Sequence, residues 1–170
     1  VLFLTIEKSW SEYVPTAPKV KLIDTTSNVT TQLSAGNTVG AVGTYSDHDF
    51  SIVTNSTTKV KIDNDGNVGI GVNPEAWASG WSMLDIGLGG SFGSNSSSNA
   101  RMLSNGYYDG SWKYKNTAAS AMYSLSSGTH TFYVAPSGSA DAAMSLTTAM
   151  TINNSGSVGI GLSSNIGATL

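Results

Sequence analysis

Apolar and polar residues alternate with a period of two in short runs along most of this chain. Val60 and Ile62 alternate with Lys59 and Lys61, then Asp65-Gly66 interrupts, then Val68, Ile70 and Val72 alternate with Gly69 and Gly71. A period of two marks a half-buried strand, and Asp-Gly is a strong hairpin turn because glycine enters φ > 0 without steric cost. The segment therefore reads as strand, turn, strand. Further strands are expected at Lys19–Ile23, Phe50–Val53, Met83–Leu88, Trp112–Lys115, Met122–Leu125, His130–Ala135 and Ala142–Leu146. Asn105-Gly106, Asp109-Gly110, Ser127-Gly128 and Pro136-Ser137-Gly138 separate several of them. Helix signals are weak. Pro74-Glu75-Ala76-Trp77, with Asn73 as a cap, suits a single turn, and Ala118–Met122 lacks the 3.6-residue period. The Gly/Ser-rich stretch Leu88–Ala100 reads as a loop. The pattern as a whole predicts an all-β chain of short antiparallel strands.

The strand–turn–strand unit occurs twice. Residues 62–72 (IDNDGNVGIGV) recur at 152–162 (INNSGSVGIGL), with seven of eleven positions identical at a spacing of 90 residues. Thr-rich stretches, Thr57-Thr58 and Thr147-Thr148, precede both copies. Val158 and Ile160 repeat the positions of Val68 and Ile70, and Gly159 and Gly161 those of Gly69 and Gly71. Interior glycine weakens a strand, so its recurrence on one side points to another backbone or ring lying close there. These eight residues are the expected core or inter-chain packing positions. The repeat divides the chain into tandem modules: a leading segment (1–18), a first module (19–72), a second (73–162) and the start of a third (163–170).

Composition narrows the class. Charged residues are 11%, far below the roughly 25% of an ordinary soluble domain. Ser, Thr and Asn make up about a third of the chain, so solubility rests on hydroxyls and amides. The net charge of −3 comes with no basic patch, which leaves nucleic-acid binding without an electrostatic footprint. No apolar run approaches the roughly 20 residues of a membrane helix, so membrane insertion is not expected. There is no cysteine, which excludes disulfides, thiolate metal sites and thiol catalysis. Oligomerisation is the remaining route to stability for a thin β chain. The missing initiator Met and basic leader read as a piece of a longer polypeptide or a mature fragment.

Candidate chemistry is sparse. Asp47-His48-Asp49 offers an imidazole and two carboxylates, but adjacent residues seldom converge on one ion, and a polar turn is the plainer reading. Asp63-Asn64-Asp65-Gly66-Asn67 resembles the start of a calcium loop. It lacks the closing Glu, and the second copy places Asn153 and Ser155 where the aspartates stand. No Gly-x-Ser-x-Gly elbow, phosphate loop or His-Glu-x-x-His motif occurs, so neither catalysis nor a cofactor is expected. Tyr107, Tyr108, Trp112 and Tyr114 are the candidate glycan contacts, since an aromatic ring with a polar tip suits stacking on sugars. Packing into the core or a subunit interface competes with that role and is the favoured reading. Trp77 and Trp81 carry the same ambiguity. Four Asn-x-Ser/Thr sequons, at Asn28, Asn55, Asn95 and Asn153, are what chance gives in such a composition.

The two glycine motifs, Asp65-Gly66-Asn67-Val68-Gly69-Ile70-Gly71 and Ser155-Gly156-Ser157-Val158-Gly159-Ile160-Gly161, resemble the GNVGIG motif of long bacteriophage tail fibres. Val72-Asn73-Pro74 keeps the proline that commonly follows the motif, whereas Leu162-Ser163-Ser164 does not. Asn105–Tyr114 and Thr129–Phe132 resemble the body of such modules. The resemblance spans most of residues 19–162. It implies an elongated, intertwined homotrimeric fibre on the virion, outside the cell, working with other tail or fibre proteins and meeting a host surface glycan or protein receptor. The alternatives are a polysaccharide-degrading tailspike module, which would need paired carboxylates distant in sequence, or a secreted bacterial adhesin repeat.

Overall fold

A computed structural model describes residues 2–7, 19–24, 26, 28–35 and 40–161. The described residues form sixteen strands and no helix, so the chain is all-β. In chain order the first eight strands are β1 (Leu2–Glu7), β2 (Lys19–Asp24), β3 (Val29–Ala35), β4 (Gly40–Thr44), β5 (Phe50–Thr54), β6 (Thr57–Ile62), β7 (Val68–Ile70) and β8 (Ser82–Ile86). The remaining eight are β9 (Gly90–Ser94), β10 (Asn99–Ser104), β11 (Tyr107–Tyr108), β12 (Trp112–Lys113), β13 (Ala118–Ser126), β14 (Thr129–Gly138), β15 (Thr147–Ile152) and β16 (Val158–Ile160). The segment 163–170 and most of the leading segment 1–18 lie outside the described residues.

The chain divides into two compact units, Val1–Phe50 and Ser51–Leu170. The first holds an antiparallel meander, β1-β2-β3-β4. The second is built on a ten-stranded sheet in the order β5-β6-β7-β8-β9-β10-β13-β14-β15-β16, with β11 and β12 forming a separate ribbon. The division falls inside the 19–72 stretch read as one module, and the 72/73 boundary lies within the continuous sheet. At that boundary β7 and β8 run parallel, which requires a crossover, and residues 71–81 supply it.

Several strand expectations hold, most closely at Lys19–Asp24, Phe50–Thr54 and Ser82–Ile86. Others need correction. Leu88–Ala100 is a hairpin rather than a loop: β9 and the start of β10 occupy it, with Phe92 paired to Met102. Its tip is fixed by side chains, since Asn99 Oδ1 accepts from Ser94 Oγ and the Asn95 amide at 3.1 and 3.2 Å. Ala118–Met122 enters the nine-residue β13, because its residues alternate between faces: Ser120 and Met122 are buried and Ala121 is exposed. Residues 74–77 form no helical turn, since the Glu75 amide goes to the Asp85 carboxylate at 2.9 Å. Ala142–Leu146 is not a strand. Asp141 at φ 61° turns the chain there, and the segment meets residues 112–114 through the isolated Lys113–Ala143 bridge and a few backbone bonds, among them Met144 N to Trp112 O and Tyr114 N to Ala142 O.

The two copies of the glycine hairpin match closely. Asp63 N donates to Asn67 O at 3.0 Å and Asn153 N to Ser157 O at 3.0 Å. Gly71 N donates to Lys59 O at 2.9 Å and Gly161 N to Ala149 O at 2.8 Å. The turn glycines Gly66 and Gly156 sit at φ 87° and 88°. Gly71 and Gly161, at φ 70° and 69°, lie beyond the strand ends. They are therefore turn residues, not a second glycine on the face of Gly69 and Gly159. A left-handed backbone explains them better than close packing does.

Candidate functional site

The two faces of the ten-stranded sheet are finished in opposite ways. On one face Gly69, Asp85, Ser91, Leu103 and Met122 follow one another across β7, β8, β9, β10 and β13, and all five are buried. The chain's own excursions cover them. The crossover after β7 presses on Gly69 so closely that a Cβ there would collide with Val72 O and meet Pro74 Cδ at 2.9 Å. The close neighbour expected at the glycine is thus the same chain, not another one.

Beyond Pro74 the crossover reaches Asp85, which is fully buried. Asp85 Oδ2 accepts from the Glu75 amide at 2.9 Å and the Trp77 indole at 3.0 Å. Oδ1 accepts from Ser91 Oγ at 2.7 Å and Lys115 Nζ at 2.6 Å. Burial alone pushes this carboxyl up. The hydrogen bonds from Lys115, the Glu75 amide, Trp77 and Ser91 outweigh it and hold the group below its ordinary range. Glu75 moves the other way, because burial and the Asp85 and Asp141 charges outweigh the attraction of Lys115. Asp85 thus ties the crossover, two strands and the 105–117 excursion to one point.

An aromatic cluster surrounds that point. Trp81 lies 5.5 Å from Trp77, stacks on Tyr108 at 5.3 Å and meets Trp112 edge-on at 5.6 Å, with the Arg101 guanidinium 5.0 Å from its ring. Tyr107 is buried and donates to Asp141 Oδ1 at 2.8 Å, and burial followed by that carboxylate raises its pKa. Tyr114 is buried and donates to the Pro136 carbonyl at 2.7 Å, its ring filling the space beside Gly138. Of the four candidate glycan contacts, Tyr107 and Tyr114 are therefore core residues. Tyr108 and Trp112 are half-buried at the rim of the cluster.

Among the described residues the opposite face has no such cover. Register alone links one apolar row across it. Ile62 pairs with Val68, Val68 with Leu84, Leu84 with Phe92, and Phe92 with Met102. Met102 pairs with Tyr123, Tyr123 with Phe132, Phe132 with Met150, and Met150 with Ile160. Paired residues point to the same side, so this is one unbroken line from β6 to β16. Phe92 is 52% exposed, Met102 57% and Ile160 76%. A shallow trough lined by Met102, Tyr123, Phe132 and Val134 lies along its middle. Ile70, Ile86 and Val134 are exposed beside the row. Val68 is half-buried, while Ile70, Val158 and Ile160 are exposed on the single chain, so the V-G-I apolar residues do not pack into its core. Gly69 and Gly159 are buried on the other side.

Among the described residues no three His, Asp or Glu side chains converge as metal ligands. Asp63 spends its carboxylate on Asn67, accepting from the backbone amide at 2.7 Å and the side-chain amide at 3.2 Å. Residues 45–48 form a bend in which His48 N donates to Ser46 O at 2.8 Å. Comparison with protein-family models, curated proteins and solved structures finds no match.

Proposed function

We propose that this chain is a segment of a trimeric phage tail fibre or tailspike-type protein, a structural and host-contact element rather than an enzyme. The carrying observation is the apolar row from Ile62 to Ile160, which one chain leaves open to water. Exposed contiguous apolar surface of this extent marks an interaction site. A fully buried Phe, Ile or Met side chain contributes about 1.5–3 kcal/mol, and burying the five exposed members of the row, Ile62, Phe92, Met102, Phe132 and Ile160, works against an association cost of about 4–15 kcal/mol. The occupant proposed is the same row of two further copies, three being the number that the glycine-motif resemblance implies. This moves the inter-chain contact from the glycine side, which the chain fills itself, to the valine and isoleucine side.

The assembly places the aromatic-capped face outward, where Tyr108 and Trp112 stand at the rim for contact with a host glycan or protein. The best-placed carboxylate, Asp85, is committed to four donors, which supports a structural role for it.

Two measurements test the reading separately. Sedimentation equilibrium should give three times the 17.6 kDa chain mass at all accessible concentrations. A folded monomer contradicts the trimer. Antibodies to the chain should decorate the tails of virus particles. Labelling of bacterial surfaces alone would favour the adhesin alternative, and release of reducing ends from host polysaccharide would favour the degrading one.

A further inference from the structure

We infer that the outer edge of β16 is a socket for the first strand of another module of the 73–162 kind, docked in parallel. The structure contains the template for this docking. β7 uses both of its edges, antiparallel to β6 and parallel to β8. β16 repeats β7 in sequence, turn bonds and register, yet it ends the sheet, with no strand on its far edge among the described residues.

The ladder shows which groups are left open. Gly161 N bonds Ala149 O and Asn153 N bonds Ser157 O, so in the alternating antiparallel pattern Gly159 faces β15. The amides and carbonyls of Val158 and Ile160 therefore point away from the sheet. Their equivalents in the first copy, on Val68 and Ile70, face β8, and Ile70 O accepts from Gly87 N at 3.0 Å. An edge without charge, proline or bulge is a ready acceptor for another strand.

The occupant's chemistry follows from β8. Leu84, Asp85 and Ile86 stand opposite Val68, Gly69 and Ile70. The incoming strand is thus Leu-Asp-Ile-like, apolar residues extending the bare row and a carboxylate opposite Gly159. One clamp is absent from the second socket. Asn67 Oδ1 accepts from the Met83 amide at 3.1 Å, and the shorter Ser157 takes its place in the copy. Docking at β16 is accordingly weaker than at β7. The inference rests on edge hydrogen bonds and stands apart from the trimer.

The test is the chain with residues 162–170 replaced by a duplicate of residues 72–161, beside the full original chain. Residue-resolved amide exchange compares Val158 and Ile160 in the original and extended proteins. Exchange at both should slow by at least about 100-fold in the extended chain, toward the rates of Val68 and Ile70. Unchanged exchange with the added module folded separately overturns the socket. So does protection of both amides already present in the original chain. Changing Ser157→Asn in the extended protein should slow exchange further, and no change there removes the clamp.

Discussion

The two faces of the central sheet use the same kinds of residue for different ends. The covered face carries a buried ion pair, a glycine pressed by backbone and a cluster of tryptophans and tyrosines, all closed by the chain itself. The bare face carries valine, isoleucine, leucine, phenylalanine, methionine and one tyrosine, and nothing among the described residues closes it. In the proposed assembly the first serves folding and the second association. Substitutions should separate accordingly: those on the covered face cost stability of the chain, and those on the bare face cost association.

The largest effect is expected at the ion pair. Lys115→Met strands the Asp85 charge in the interior and should lower folding stability by about 3–5 kcal/mol in chemical denaturation. Adding Asp85→Asn should restore much of that loss, and failure to do so would show that Lys115 acts through packing alone. The pair also sets a pH dependence. Asp85 has a depressed folded-state pKa, so its contribution is present above the ordinary carboxylate value of about 3.9 and disappears as pH falls through the lower folded value.

Next comes Gly69→Ala, which drives a methyl into Val72 O and Pro74 and should cost about 1–3 kcal/mol as overpacking. Gly71→Ala meets no atom and carries only the left-handed backbone penalty of about 1–2 kcal/mol. Thermal melts of the two variants compare crowding with conformation at neighbouring glycines.

Glu75→Gln is a smaller change of opposite sign. The folded-state pKa of Glu75 is raised, so ionised Glu75 opposes folding at pH 7. Glutamine should stabilise the protein at pH 7 and lose that advantage near pH 4, where glutamate is protonated. A gain that persists at pH 4 would point to a cause other than charge.

Phe92→Asp should have the least effect on the separated chain, within about 0.5 kcal/mol as for other exposed sites, while abolishing association in light scattering. A large loss of chain stability would mean that Phe92 belongs to the covered side.

How much of this the sequence disclosed depends on distance along the chain. The hairpin at Asp65-Gly66 and its copy at Ser155-Gly156 are local, and turn chemistry with a period of two was enough to place them. The bare row was hidden because it exists only through strand register, which joins Phe92 to Met102 and then to Tyr123 across separate hairpins. Lys115 gave no signal either. It looks like a solvent-facing lysine beside Tyr114, and its partner lies 30 residues away on another strand. The glycines were read half correctly. Gly69 does mark a close approach, but the neighbour is its own Pro74, while Gly71 is a turn residue whose φ the sequence pattern does not show. The aromatic cluster was visible as a cluster, yet which rings are buried was decided by partners distant in sequence, Asp141 in the turn after β14 and Pro136 within β14.

The account depends on the bare face being covered by other copies of the chain, and methionine oxidation reads this directly. Met102 lies mid-row and is 57% exposed on one chain, whereas Met83 and Met144 are buried at 3% and 7%. Under mild peroxide, with peptide mass spectrometry of the native protein, Met102 should be protected as strongly as Met83 and Met144, and Phe92→Asp should release it. Oxidation of Met102 at the rate of a free methionine, while Met83 and Met144 stay intact, would contradict the account.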